Sequence, residues 1–442
     1  MIIPGKKPLF RKDDSQNAPY RIVVWVLILF ALIFILRSIN RGNINPFFLP
    51  TSTPTRTFAS YTAEGETQFI AGDMGKAIEA YQHALRVEPR NAELWVELAR
   101  IQVYSTKLIT IDGERKARFE EARNSIDKAL EIDPDSSLVH AIRSFYLDWY
   151  ATSGLLVDQA EWQSLLNQAE QSATRALQLD SNNALALAYY AEILTDQQRI
   201  IQADLYIEQA LQADSSLMDV HRVDGYINES AANYPQAIAA YKTALQIDPN
   251  LTFLYMSIGV NYRKITQYDL ALEYFSRAAQ INEGLGVKDS GPYFSISNTY
   301  LQMGQAFAAG LNARKGLNYK PEDADAYGQL GIIYHRTKNY EGAIQAFKCA
   351  LSGCTPEESC EVRQCNSAID PMPAIQGLPL TASTGDYYIT YGSDLAALHR
   401  PSNNYCQEAM RILALARAAF SQDEIAIANI SESENICKSY GF

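Results

Sequence analysis

From Phe58 onward the apolar residues recur at helical spacing in two alternating signatures. The first reads large-x-x-large-small-x-x-large, as in Tyr255, Ile258, Gly259 and Tyr262, and again in Tyr327, Leu330, Gly331 and Tyr334. Those positions share one helix face. The small residue lets a second helix come close, and the large ones fill the space beside it. The second signature follows downstream: Ala, an aromatic residue four positions on, and Ala three further. It occurs at Ala77, Tyr81, Ala84; at Ala237, Tyr241, Ala244; at Ala271, Phe275, Ala278; and at Ala343, Phe347, Ala350. The spacing from Ala210 to Ala244, from Ala244 to Ala278 and from Gly316 to Ala350 is 34 residues. Pro89, Pro134, Pro249 and Pro321 follow second helices and stop them. One run obeys neither signature: Ile22 to Leu36, IVVWVLILFALIFIL, is apolar on every face.

Period, small-residue positions and helix-ending prolines together resemble the tetratricopeptide repeat (TPR), a helix-turn-helix unit of about 34 residues. The resemblance covers Phe58 to Ser352 and gives eight units. Their second helices are centred near Tyr81, Ile126, Ala173, Ile207, Tyr241, Phe275, Ala313 and Phe347. The second unit carries extra residues around STKLITIDGER and the third around TSGLLVDQAEW, and GLGVKDSG precedes the seventh. Gly72 to Lys76, GDMGK, lacks the spacing and the Ser or Thr of a phosphate loop; it is expected to be the turn between two repeat helices. Beyond Ser352 the chain becomes rich in Cys, Pro, Gly, Ser and Thr, with DYYITYG at 386–392. Two amphipathic runs between Asn404 and Tyr440 then suggest a ninth, degenerate hairpin that caps the stack. The expected architecture is all-α: an α-solenoid of about eight TPR hairpins with a C-terminal helical cap, preceded by one transmembrane helix. Its boundaries are a stub at 1–19, a span at 20–39, a linker at 40–57, the solenoid at 58–353, and the Cys-containing insert and cap at 354–442.

Charge gives the apolar run its meaning. Tyr20 to Ile39 is long enough to cross a hydrocarbon core of about 30 Å. Arg21 and Arg37 can snorkel at its ends, and Tyr20 and Trp25 suit an interfacial belt. A cleaved signal peptide and a buried core helix are the alternatives; no small-x-small cleavage site follows the run. Lys6, Lys7, Arg11, Lys12 and Arg21 precede it, and only Arg37 and Arg41 closely follow. The positive-inside rule then places the N-terminus in the cytoplasm and the bulk of the chain outside. Residues 1–41 sum to +5 of a net charge of −12, which leaves −17 on the remainder. So acidic a body repels phosphate backbones, and nucleic acid is excluded as a partner. Phe47 and Phe48, in the Pro- and Thr-rich linker, are placed at the membrane surface.

All six cysteines lie between Cys349 and Cys437. An exported domain keeps such cysteines as disulfides. Cys406 and Cys437, at the open ends of a terminal hairpin, are expected to pair. Cys349, Cys354, Cys360 and Cys365 would pair among themselves in an order the spacing leaves open. A zinc site on those four lacks any C-x-x-C, and free buried cysteines are the other alternative. His83, His140, His221, His335 and His399 join no ligand motif, and no nucleophile or dinucleotide signature is present. No catalytic residue, metal or cofactor is expected.

The resemblance implies function through a concave surface lined by the first helix of each repeat. The groove-facing positions in the fifth to seventh units include Arg222, Tyr226, Phe253, Met256, Val260, Arg263, Phe294 and Asn298. The Lys and Asn with which chaperone-binding relatives hold a terminal carboxylate are absent there. Phe253, Met256, Val260 and Phe294 are instead expected to form an apolar strip flanked by Arg222 and Arg263, for other proteins or peptides of the cell envelope. The alternative is that these side chains pack against the chain itself. The reading is a membrane-anchored envelope scaffold or assembly factor, with a permanent subunit of a larger membrane complex as the second possibility.

Overall fold

A computed structural model describes residues 19–40, 56–109, 111–156 and 158–442. The expected stub and most of the expected linker, with Phe47 and Phe48, lie outside the described residues. Two compact units result, Met1–Arg56 and Thr57–Phe442. Among the described residues of the first, one helix spans Pro19–Asn40, and Pro19–Ser38 is long and apolar enough to cross a membrane.

The second unit is all-helical, and among its described residues no strand forms. Eight hairpins follow one another, each with a first helix A and a second helix B. Repeats 1 to 4 are Phe58–Ile70 with Met74–Val87, Ala92–Ser105 with Asp112–Ile132, Ser137–Ala151 with Gln159–Leu179, and Ala184–Asp196 with Ile200–Ala213. Repeats 5 to 8 are Met218–Ser230 with Tyr234–Ile247, Thr252–Lys264 with Tyr268–Leu285, Gly291–Gln302 with Ala306–Tyr319, and Ala324–Arg336 with Tyr340–Ser352. The extra residues of repeats 2 and 3 lengthen their B helices to 21 residues each, against 14 in repeat 1.

The two sequence signatures meet inside each hairpin. Every member of the four Ala-aromatic-Ala sets is buried. The small residue of helix A lies under the aromatic ring of helix B. A Cβ on Gly259 would stand 2.5 Å from Phe275, and one on Gly331 2.6 Å from Phe347. Rings cannot be compressed at that distance, so the helices would have to separate. Gly259→Ala is therefore expected to destabilise by about 1–3 kcal/mol, the usual cost of overpacking a core. An unchanged urea midpoint in that variant would show that the hairpin is looser than its packing indicates.

The GDMGK turn joins the helices of repeat 1. Asp73 caps helix B by accepting a 3.0 Å hydrogen bond from the Lys76 amide. Gly72 has φ +84, and a Cβ there would stand 2.4 Å from the Asn250 carbonyl oxygen. Asn250 also donates to the Ile70 carbonyl at 3.1 Å. The superhelix thus winds tightly enough for repeat 1 to touch the loop that enters repeat 6.

The C-terminal region differs from the expected hairpin. The ninth hairpin is Gly385–Ala397 with Tyr405–Ala419, and Glu424–Ser439 is a single helix packed on both. The insert holds a short helix, Pro356–Arg363, and folds back along repeat 8, where the Leu378 amide donates to the Ala350 carbonyl at 2.8 Å. The DYYITYG segment becomes helical because Tyr388, Tyr391 and Leu395 bury one face, and Gly392 lets Leu413 approach.

Candidate functional site: the inner surface of the solenoid

The A helices of repeats 2 to 6 face one another across the superhelix axis, and a buried polar cluster joins them. Asp219, on helix A of repeat 5, accepts hydrogen bonds from Arg100 at 2.8 Å, from Tyr189 at 2.7 Å and from Tyr104. Arg222, one turn on, makes a two-pronged ion pair with Glu192 at 2.7 and 2.6 Å, and its Nε donates to the Tyr104 hydroxyl at 3.0 Å. Trp149 donates its indole N–H to Glu192 at 3.0 Å, and the Arg222 guanidinium lies 5.3 Å from the Trp149 ring centre. Phe253 of repeat 6 stacks flat on Tyr104 of repeat 2, with ring centres 5.1 Å apart.

Burial sets the electrostatics. It works to raise the Asp219 carboxyl, but Arg100 and Arg222 override it and hold that group below the ordinary carboxylate range. For its neighbours the cations are outweighed. Burial, then Asp196 and Glu192, push Asp148 well up. Burial likewise lifts Asp196 to about 6, against the hydrogen bond from the Tyr226 hydroxyl. A cavity of about 450 Å³ opens beside this pair, walled by Trp149, Asp196, Tyr226, Phe253 and Met256.

These contacts change the expected groove. Arg222 is only 5% exposed and tied to Glu192, so it is a closure residue rather than a flank of an open surface. Phe294 is buried, so no continuous strip runs from Phe253 to Phe294. The reason lies in helix B of repeat 7, where Ala313 replaces the usual aromatic and Gly316 leaves room for Phe294; a Cβ on Gly316 would stand 3.2 Å from that ring. Phe253 and Tyr226 are half-buried and engaged with Tyr104 and Asp196, Met256 faces the cavity, and Val260 packs against the core.

Arg263 and Asn298 have a different setting. With Leu301, Ile332, Arg336 and Tyr387 they line a groove of about 510 Å³ along the A helices of repeats 6 to 9. Arg263 donates to the Ser295 carbonyl at 3.3 Å, and among the described residues neither it nor Arg336 meets a carboxylate within 4.0 Å. At the far end of this surface His335 Nδ1 lies 2.7 Å from Asp394 Oδ1, bridging repeats 8 and 9.

The six cysteines fall into three close pairs: Cys349 with Cys354, Cys360 with Cys365, and Cys406 with Cys437. The last pair joins helix B of repeat 9 to the final helix.

Several known proteins resemble this chain. Residues 58–91 and 298–358 each match a model of the tetratricopeptide repeat. A probable UDP-N-acetylglucosamine–peptide N-acetylglucosaminyltransferase SPINDLY of Hordeum vulgare is 28% identical over 180 residues, 38% of this chain and 18% of that protein. Protein IFIT1 homolog B of Homo sapiens is 21% identical over 312 residues, 64% of this chain and 63% of that protein. Among solved structures, a thermophilic TPR protein of Thermus thermophilus is similar at 16% identity and a TM-score of 0.37, covering 50% of this chain and 98% of that one. The chain thus spans less than a fifth of SPINDLY and just under two thirds of the IFIT1 homolog. With repeat models matched at both ends of the stack and small residues buried at hairpin after hairpin, the chain is an all-α solenoid of helical hairpins, two stretches of which match the tetratricopeptide repeat.

Proposed function

We propose that the chain is a membrane-anchored scaffold that holds an acidic segment of a partner protein in the groove along repeats 6 to 9. TPR proteins mediate protein–protein interaction, and one observation carries the choice of surface. Outside the cavity beside Asp196, the inner face of repeats 2 to 6 is occupied by the chain's own ion pairs and stacked rings, whereas Arg263 and Arg336 line an open groove with no carboxylate opposite among the described residues. In a body of net negative charge, two such arginines on one concave face favour acidic partners through complementarity. The helix Pro19–Asn40 supports a single-pass anchor, and the Lys/Arg excess before it supports an outside location for the repeats. Binding, not catalysis, is the role assigned.

The test is capture by full-length protein in detergent, with cross-linking and mass spectrometry. Arg263→Glu with Arg336→Glu is expected to weaken capture by about tenfold or more, in line with like-charge repulsion of several kcal/mol at an interface, and to leave the thermal midpoint nearly unchanged. Undiminished capture by the double variant would reject this groove. The permanent-subunit reading has its own support, in apolar pairs on outer B-helix faces: Ile201 with Leu205, and Phe307 with Leu311, all exposed. It predicts partners at fixed stoichiometry.

A further inference from the structure

We propose that the cavity beside Asp196 is a binding site for a small organic cation bearing a primary ammonium group. This site is separate from the groove of repeats 6 to 9, so either assignment can fail alone.

Three observations converge on the cavity. The first is an excess of acid: Asp148, Glu192, Asp196 and Glu229 lie in or behind the wall, against Arg222 and Lys107. Arg222 is already spent on Glu192. The second is Asp148 itself. It is 1% exposed, no N–H or hydroxyl donor reaches either carboxylate oxygen, and its close neighbours are the carboxyl groups of Asp196 and Glu192. A carboxyl pair held away from solvent is costly to ionise, and an ammonium placed on Asp196, the member of the pair that lines the cavity, would favour its charged form. The third is a cation already positioned there. The Lys107 ammonium rests 4.5 Å from the Trp149 ring centre, and among the described residues no carboxylate lies within 4.0 Å of it. The aromatic wall thus accepts an ammonium on its face, while Asp196 beyond it has no cation within 4.0 Å among the described residues.

The volume of about 450 Å³ lies within the range of small-ligand sites, roughly 300–1,000 Å³. A ligand with an amine at the end of a short alkyl chain matches the setting. Its ammonium reaches Asp196, and its methylenes lie against Trp149, Phe253 and Met256. The amine can belong to a free diamine or to a lysine side chain of a partner. Cadaverine and the tripeptide Gly-Lys-Gly probe the two sources of the same group.

The experiment is calorimetric titration of the folded full-length protein in detergent, paired with thermal melting. Cadaverine or Gly-Lys-Gly should bind saturably and raise the melting midpoint, and neutral 1-pentanol should not. Binding by the diamine alone would assign the site to a free amine, and binding by the peptide alone to a partner's lysine. Asp196→Asn should weaken the bound probe at least tenfold. Lys107→Met changes an exposed residue, so it should leave the fold intact and strengthen binding severalfold by removing a competing positive charge beside the site. Absence of binding by both probes to the wild type and to Lys107→Met overturns the proposal. So does binding that Asp196→Asn leaves unchanged.

Discussion

Arg222→Met is expected to lower the stability of the repeat unit by about 3–5 kcal/mol, the usual penalty for removing one partner of a buried ion pair. Three losses combine. Glu192, 4% exposed, loses both hydrogen bonds from the guanidinium. The Tyr104 hydroxyl loses a donor, and Asp219 loses one of the two arginines that hold its carboxyl ionised. Repeats 2, 4 and 5 all contribute to this cluster, so its failure uncouples units that are distant along the chain. In a solenoid most stability comes from each repeat and its nearest neighbours; closure across the axis adds a longer-range term here. The reading is the urea midpoint of the repeat region in the intact protein. Arg222→Met combined with Glu192→Leu should recover much of the loss, because a buried ion pair exchanged for apolar groups is often neutral in stability. A midpoint equal to wild type in the single variant would return Arg222 to the ligand-binding residues. Acid should add to the effect. Asp219 has a folded pKa below its ordinary value of 3.8, so its stabilisation is complete above that pH and fades as pH falls through the lower folded value. Asp196 acts in the opposite sense: raised from 3.8 to about 6, it costs stability as pH climbs through that window.

Cys437→Ala is expected to release the C-terminal cap. Cys406 and Cys437 are both fully buried and lie 31 residues apart in sequence. We propose that they form a disulfide, which for a loop of this length contributes about 3–4 kcal/mol in the chain-entropy model. The final helix gives the stack its outer layer. Ala426, Ile430 and Cys437 bury one face of it, and Arg417 reaches across to Glu434 at 3.0 Å. Without the bond that layer rests on apolar and ring contacts, the Ser393–Ser433 hydroxyl pair and the part-buried Arg417 contacts to Ser431 and Glu434, of which a surface ion pair adds at most about 1 kcal/mol. Limited proteolysis should then cut the variant near the turn at 420–423 well before the wild type. Non-reducing peptide mapping of the wild type checks the pairing directly. Alkylation of either thiol without reductant, or a link from either to the cysteines at 349–365, would discard it.

How much of this was legible depends on how far apart the contacting residues lie. The hairpins are readable because their contacts are local: Gly259 meets Phe275, and Gly331 meets Phe347, within one repeat. The turn role of GDMGK follows for the same reason. The ninth hairpin is readable too, but it begins one helix earlier than expected. Tyr388, Tyr391, Gly392 and Leu395 repeat the first signature, and Ala409, Leu413 and Ala416 repeat the second with Leu in the aromatic place. The surrounding Cys, Pro, Gly and Thr obscure them, so that Tyr405 to Ala419 reads as a first helix when it is a second.

The groove was legible only in part. Arg263 and Asn298 line an open surface as repeat position implies, but Arg222 and Phe294 do not. Phe294 turns inward because Gly316, a residue of its own repeat, leaves space for its ring, which is a local signal that position counting ignores. Arg222 is different. Its partners lie 30 and 118 residues away, and Arg100 reaches Asp219 across 119. Sequence by itself determined which residues make each helix, which faces pair within a hairpin, and where the apolar helix and the cysteines fall. Only the tertiary structure decided that repeats 2 and 5 close on each other. That outcome depends on the small rotation between successive hairpins, summed over several repeats, and no local pattern encodes the sum.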